Sequence, residues 1–155
     1  MKVKALTVVG AFLIENFRRC TVAYNGFMFK FGSYDFADMI RADSYEINPN
    51  ARQDLDSYRD ADGVLHRTAL SHTATSIKFN VRFRSQAEHE AMMNAITSNY
   101  INSNERDANC TYYDPETCSY KTGHFYLDSN VGFKVYGTYN NEIKFNESEM
   151  AFVEY

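Results

Sequence analysis

Cysteine, proline and tryptophan are scarce in this sequence, with three, two and no copies among 155 residues. Cys20, Cys110 and Cys118 form an odd set without a CxxC spacing, so neither a structural zinc site nor a complete disulfide framework is indicated. Cys110 and Cys118 could face each other across a turn at Asp114-Pro115, although spacing alone does not make two thiols bond.

A surplus of positive charge is also missing, because the formal net charge is −4. The arginines in the middle of the chain are interspersed with acidic residues, so they form no basic aromatic stripe for nucleic acid. A glycine-rich phosphate loop is absent as well. The sequence therefore predicts no specific binding to nucleic acid.

Residues 5–14 form an apolar run that is too short to span a membrane. The segment that follows, up to Cys20, offers no small-residue cleavage site of a signal peptide. Leu6, Val8 and Leu13 are nevertheless too apolar to lie exposed without cost. We therefore predict that residues 1–23 are an extension that docks on a neighbouring subunit, or else a segment translated upstream of an older start.

No spacing of residues selects a catalytic or metal site. The four histidines, at positions 66, 72, 89 and 124, form neither an HxH nor an HExxH motif. His66 and His72 on one strand would lie roughly 20 Å apart, too far for one metal ion. The aspartates before Gly63 lack the spacing of an EF-hand, and His89 is interpreted as a solvated helix residue. The sequence predicts no enzyme, no metal and no cofactor.

Tyrosine and phenylalanine are abundant, with twelve copies of each. Both residues favour strands, so the composition predicts a β-rich fold, and exposed tyrosines also suit contacts with neighbouring proteins. The chain length suits a single globular unit, which we place at residues 24–155.

Apolar and polar residues alternate from residue 77 to residue 84, which predicts a strand with one buried face. The buried set would be Ile77, Phe79, Val81 and Phe83, and the solvent-facing set would be Lys78, Asn80, Arg82 and Arg84. With Met92 and Ile96 of a following helix, this strand is predicted to form the centre of the core.

The segment before that strand is polar and contains the turn signal Asp62-Gly63, so residues 54–75 are predicted to form a protruding hairpin arm. Its side chains offer polar contacts but little that could fill a core. The candidate subunit contacts are therefore Asp54, Asp56, Tyr58, Arg59, Asp60, His66, Arg67 and His72 in the arm, with Leu6, Val8 and Leu13 in the N-terminal run.

The remaining elements follow from local signals. Ser85 and Glu88 have the spacing of a capping box, which predicts a helix over residues 86–99. Asn25-Gly26 and Asn140-Asn141 predict hairpin turns, and Pro49 predicts the end of a strand. The predicted fold is α+β and β-rich: an antiparallel β-sandwich or split barrel with one flanking α-helix and the arm.

The strands and turns from residue 29 to residue 155 resemble a family of small tail proteins of phages and prophages from Gram-positive bacteria. In the second half the resemblance is carried by Asp114-Pro115, Thr122-Gly123, Phe125-Tyr126 and Lys144-Phe145-Asn146. In the first half it is carried by Ser44-Tyr45, Asp62-Gly63, His66-Arg67 and Ile77-Lys78-Phe79.

The resemblance implies a virion structural protein of a long tail, near the tail tip or baseplate, or a subunit of a phage-tail-like particle. Such a protein would be made in the host cytoplasm, would assemble into a ring with other copies and with other tail proteins, and would catalyse nothing. A tail tube, tail-terminator or neck component is the first alternative. A cytosolic small-ligand-binding β-barrel or enzyme is the second.

Overall fold

The structure is a computed structural model that describes residues 24–155, so the predicted N-terminal extension lies outside the described residues. The elements in chain order are β1 (Phe29–Phe31), β2 (Tyr34–Asp35), β3 (Glu46–Arg59), β4 (Leu65–Val81), β5 (Arg84–Ser85), α1 (Gln86–Ser98), β6 (Asp107–Asp114), β7 (Ser119–Leu127), β8 (Val135–Tyr139), β9 (Glu142–Phe145) and β10 (Ser148–Glu154).

The strands form two antiparallel sheets. The large sheet has the order β2-β1-β6-β7-β10-β4-β3, and the small sheet has the order β5-β9-β8. β10 therefore lies between β7 and β4, although it comes after both in the chain. The predicted class, a β-rich antiparallel fold with one flanking helix, is confirmed.

One face of the large sheet carries the core, because alternate residues of each strand point to that side. Met150 and Phe152 of β10 lie opposite Phe79 and Ile77 of β4, and all four side chains are buried. Met92 and Ile96 of α1 are buried in the same cluster. The prediction that Met92 and Ile96 share the core with residues 77–83 is confirmed for Ile77, Phe79 and Val81 but not for Phe83.

The helix begins where its sequence signal predicts. The Ser85 hydroxyl accepts a hydrogen bond from the Glu88 amide, and the Glu88 carboxylate accepts one from the Ser85 amide at 2.8 Å. This bond, together with hydrogen bonds from the side chains of Arg82 and Ser85, lowers the pKa of Glu88 to about 2. Within the described part of the chain, no helix is long and apolar enough to cross a membrane.

The alternation predicted for residues 77–84 stops at Val81, where β4 ends. Phe83 is 45% exposed, whereas Arg84 is only 1% exposed. The prediction was wrong for these two residues because β5 starts at Arg84 and belongs to the small sheet. The alternation of buried and exposed side chains in β4 therefore does not continue into β5.

Two predicted chain breaks were also misplaced. The first hairpin turns at Gly32-Ser33 between β1 and β2, not at Asn25-Gly26. Pro49 does not end a strand, because β3 continues through it with a register shift between Asn48 and Ala51. A bulge at an edge strand tolerates proline, which explains why it is accepted there.

Other turn predictions are confirmed. Asp62-Gly63 lies in the turn between β3 and β4, and Asn140 and Asn141 both have positive φ angles in the turn between β8 and β9. Cys110, by contrast, lies opposite Gly123 on β7 and keeps a buried free thiol, so it does not face Cys118. Burial raises the pKa of this thiol to about 12.

Candidate subunit-contact site

The arm, residues 54–75, is the outer part of the β3–β4 hairpin. β10 pairs with β4 only from Ser76 to Val81, so residues 65–75 of β4 pair with β3 alone. β3 is itself the edge strand of the large sheet. Apart from its base at residues 73–75, the arm is therefore a two-stranded projection that pairs with no other described strand.

A carboxylate organises the tip of the arm. Asp60 accepts hydrogen bonds from the amides of Asp62 and Val64 at 3.1 and 2.9 Å. Gly63 has a φ of +80°, a conformation that residues with a Cβ rarely adopt, and its carbonyl accepts from Arg59 at 2.8 Å. The turn is consequently held in one shape rather than left as a loose loop.

Two polar pairs stiffen the arm, one between its strands and one between the turn and β4. The Arg67 guanidinium donates two hydrogen bonds to Asp54, at 2.9 and 2.8 Å, and these bonds lower the pKa of Asp54. His66 lies 2.8 Å from Asp60, whose pKa is lowered chiefly by this contact, and the His66 ring stacks on Tyr58 at 5.0 Å. These exposed pairs contribute little stability but they fix the arm's geometry.

The base of the arm is anchored to the sheet. The Thr75 amide donates to Glu154 at 2.9 Å, and the Thr75 hydroxyl contacts the Tyr112 hydroxyl at 3.2 Å. On the other strand, the Asn50 side chain donates to Glu116 at 2.6 Å. The direction in which the arm leaves the sheet is set by these contacts.

The arm exposes large apolar side chains that its own domain does not cover. They are Leu55, Tyr58, Val64, Leu65 and Leu70. Leu55 is the most exposed of them, at 71%. Exposed apolar groups on a narrow, polar projection mark a surface that can be buried by another molecule.

The structure places the arm residues predicted as subunit contacts on this projection. It brings Asp54 to Arg67, and it joins Asp60, His66 and Tyr58 in one group, whereas His72 is exposed apart from them. The other three predicted contacts, Leu6, Val8 and Leu13, lie outside the described residues. That any of these residues touches another subunit stays a prediction.

Sequence reasoning missed a second exposed surface on the small sheet. Tyr136 and Tyr139 of β8 are 72% and 69% exposed, and Tyr136 meets Phe83 edge to face at 5.4 Å. The missed signal was the mixed sequence of β8, in which apolar residues occupy both faces of a short edge strand.

The histidines outside the arm are held by structural contacts. His89, which we interpreted as solvated, instead stacks on Phe145 at 3.9 Å and accepts a hydrogen bond from Arg84 at 3.0 Å. His124 lies 2.6 Å from Asp107 and stacks on Tyr155. Among residues 24–155, no three histidine, cysteine or acidic side chains are grouped as metal ligands.

Comparison with known proteins gives one family and one solved structure. The model of a family described as a family of unknown function, DUF6711, matches residues 22–155. A chain from the structure titled "Tail of empty GTA particle computed with helical refinement, C6 symmetry" aligns with 86% of this chain and 95% of its own length, at 18% identity and a TM-score of 0.46. A likeness at that level establishes neither a shared fold nor a shared function. No curated protein matches the sequence.

Proposed function

The chain belongs to the DUF6711 family, and we propose that it is a structural subunit in the tail of a phage or phage-tail-like particle, close to the tail tip or baseplate. It acts by assembling with further copies of itself and with other tail proteins. We also propose that the chain is not an enzyme, because its role is to present contact surfaces to other subunits.

The observation that carries the proposal is the anchored, stiffened arm. A hairpin that served only to connect two strands would need a short turn, whereas β3 and β4 continue well beyond the last strand that pairs with them. An unsupported ribbon is marginally stable in water, so its polar pairs and exposed apolar groups favour a role in which a neighbour covers it.

A mass-spectrometric inventory of purified particles tests this role. Particles from the strain that encodes the chain should contain it in a fixed ratio to the major tail tube protein. A low ratio with labelling by specific antibody at the distal end of the tail supports a tip or baseplate position. A ratio near one indicates a tube protein, and labelling at the head-proximal end indicates a neck or terminator protein.

The same preparation can contradict the proposal outright. If the chain is abundant in lysates but absent from particles purified through two density gradients, it is not a tail subunit. In that outcome the arm would need another explanation.

A further inference from the structure

Cys118 is half-buried in the turn between β6 and β7, and its sulfur is disulfide-bonded. The other cysteine of residues 24–155, Cys110, keeps a free thiol in the core. The sequence has one further cysteine, Cys20, which precedes the described residues. Cys20 is therefore the remaining candidate for the partner of Cys118 within one chain.

The chain enters the described part of the structure beside Cys118. The Asn25 amide donates to the Tyr120 hydroxyl at 2.9 Å, and that hydroxyl donates to the Phe27 carbonyl at 2.8 Å. The Phe27 ring also packs against the Tyr120 ring, with centroids 4.7 Å apart. Tyr120 is two residues after Cys118, and Cys20 is five residues before Asn25. Five residues span up to about 17 Å, which is enough for Cys20 to reach the Cys118 sulfur.

The turn between β6 and β7 holds Cys118 in a defined position. The Asp114 carboxylate accepts hydrogen bonds from the Glu116 amide and the Thr117 hydroxyl, at 2.8 and 2.9 Å. Asp114 is itself buried and paired with Lys121. A cysteine on a rigid turn loses less conformational entropy when it is bonded than one on a loose loop.

We propose that Cys20 is the disulfide partner of Cys118, and that this bond attaches the N-terminal segment to its own subunit at the β6–β7 turn. The same turn touches the base of the arm, because Glu116 accepts a hydrogen bond from the Asn50 side chain at 2.6 Å. The bond therefore makes residues 1–19 leave the subunit beside the arm. This assignment does not depend on the tail-subunit role proposed above.

Formation of the bond is a two-electron oxidation, for which a small-molecule disulfide such as glutathione disulfide is the oxidant. The Cys118 thiolate attacks one sulfur of the oxidant and releases the first thiol. The Cys20 thiolate then attacks the Cys118 sulfur of the mixed disulfide and releases the second thiol, and the two cysteine protons end on the two released thiols. A reducing compartment reverses this exchange, so the bond closes when the chain reaches an oxidising medium.

Peptide mapping of the full chain without reduction tests the assignment. The chain is incubated with glutathione disulfide, unfolded with N-ethylmaleimide to block the remaining thiols, and digested with trypsin and a glutamate-specific protease. Cleavage after Glu116 separates Cys110 from Cys118, which trypsin alone leaves in one peptide. We expect one linked pair, residues 20–30 with residues 117–121, and an alkylated Cys110.

Three single variants accompany the mapping. Cys20→Ser and Cys118→Ser should each lack the linked pair, whereas the matched control Cys110→Ala should keep it. Oxidised wild type and oxidised Cys110→Ala should each melt roughly 5 °C or more above their reduced forms, because the bond closes a long loop of the chain. The two serine variants should melt alike with and without reductant.

Other results overturn the assignment. A linked pair that contains residues 107–116 would make Cys110 a partner. Residues 117–121 linked to a second copy of themselves, with a dimer on a non-reducing gel, would place the bond between subunits. Alkylation of all three thiols after oxidation would show that Cys20 and Cys118 do not meet. None of these results bears on the particle inventory, which tests the tail role separately.

Discussion

Arg84 places a guanidinium group in the interior, where it is 1% exposed. It donates to His89 at 3.0 Å and to the Ser148 hydroxyl at 3.0 Å, and it lies near the rings of Phe133 and Phe145. No carboxylate is paired with it among the described salt bridges, so hydrogen bonds and aromatic faces replace the lost hydration. This side chain joins the helix, the small sheet and the start of β10.

His89 must stay neutral for this arrangement. A guanidinium only donates, so the ring nitrogen that faces it has to be unprotonated. Burial, and next the charge of Arg84, lowers the pKa of His89 below its usual 6.5. Stability that depends on neutral His89 is therefore present above pH 6.5 and is lost as the pH falls through the folded-state pKa.

Replacing His89 by glutamine should reduce this pH dependence. The glutamine amide oxygen can still accept from Arg84, but it does not titrate. Between pH 7.5 and pH 5, urea titrations should show a larger loss of unfolding free energy for wild type than for His89→Gln. His72→Gln, on the exposed arm, should behave like wild type. Equal pH slopes for wild type and His89→Gln would contradict this account.

Phe79 tests the centre of the core. Its ring lies 5.1 Å from that of Phe36 and 5.7 Å from that of Phe152, and it is 1% exposed. Phe79→Ala should lower the unfolding free energy by about 3–5 kcal/mol, since the cavity can close only partly. The adjacent Lys78→Ala should cost less than about 1 kcal/mol, because its salt bridge to Glu46 is exposed. Similar losses in the two variants, measured by urea titration, would rule out the observed register.

At the scale of elements, the features that could be predicted from the sequence are those that depend on one pair of nearby residues. The Ser85 and Glu88 cap and the Asn140-Asn141 turn depend on local backbone geometry alone, and both were located correctly. Asn25-Gly26 has a similar local signal, yet the hairpin turns at Gly32-Ser33, where the Ser33 amide donates to Asn99 beyond the helix. A turn that is stabilised by a residue 66 positions away leaves no local trace in the sequence.

The two exposed surfaces also differ in how far the sequence predicted them: it predicted the arm, but it did not predict the surface around Tyr136 on the small sheet. Aspartates beside Asp62-Gly63 made the arm predictable, because a polar stretch around a turn cannot fill a core. The small-sheet surface depends on Phe83 being exposed although the alternation of β4 predicts that it is buried. Its exposure follows from β5 joining the small sheet. Which sheet a short strand joins is a tertiary outcome, so the alternation of residues 77–84 could not reveal it.

Removal of the arm should separate folding from assembly. Replacing residues 55–72 by a short Gly-Ser bridge leaves the Arg52 and Thr73 pair and the Thr75 anchor in place. We expect a cooperatively unfolding protein that no longer enters particles in a complementation assay. A charge-swapped variant, Asp54→Arg with Arg67→Asp, keeps the cross-strand pair and should still enter them. Normal particles from the deletion variant would refute a role for the arm in assembly.

For the whole molecule, β10 is the element that unites the large sheet. It hydrogen-bonds to β7 on one side and to β4 on the other, and it supplies Met150 and Phe152 to the core. Its Glu154 also anchors the arm at Thr75. The sheet without β10 would be split into two parts, each with an exposed apolar face.

A chain that lacks residues 147–155 should therefore fail to fold. Loss of the two buried side chains alone would cost about 5–10 kcal/mol, which approaches the whole stability of a typical domain. We expect an insoluble or unfolded product by circular dichroism, whereas deletion of Tyr155 alone, a 48% exposed residue, should be tolerated. A soluble, cooperatively melting product from the longer truncation would show that β10 is dispensable.

The position of β10 also orders events during synthesis. β10 leaves the ribosome after the other described strands, so the edges of β4 and β7 stay open until translation has passed residue 154. Closure then joins residues far apart in the chain, which is a slow kind of folding step. Because the same strand carries Glu154, an interrupted polypeptide also lacks the hydrogen bond that anchors the arm at Thr75. In the assembly role proposed above, a prematurely terminated chain would therefore lack both a closed sheet and a correctly held contact arm.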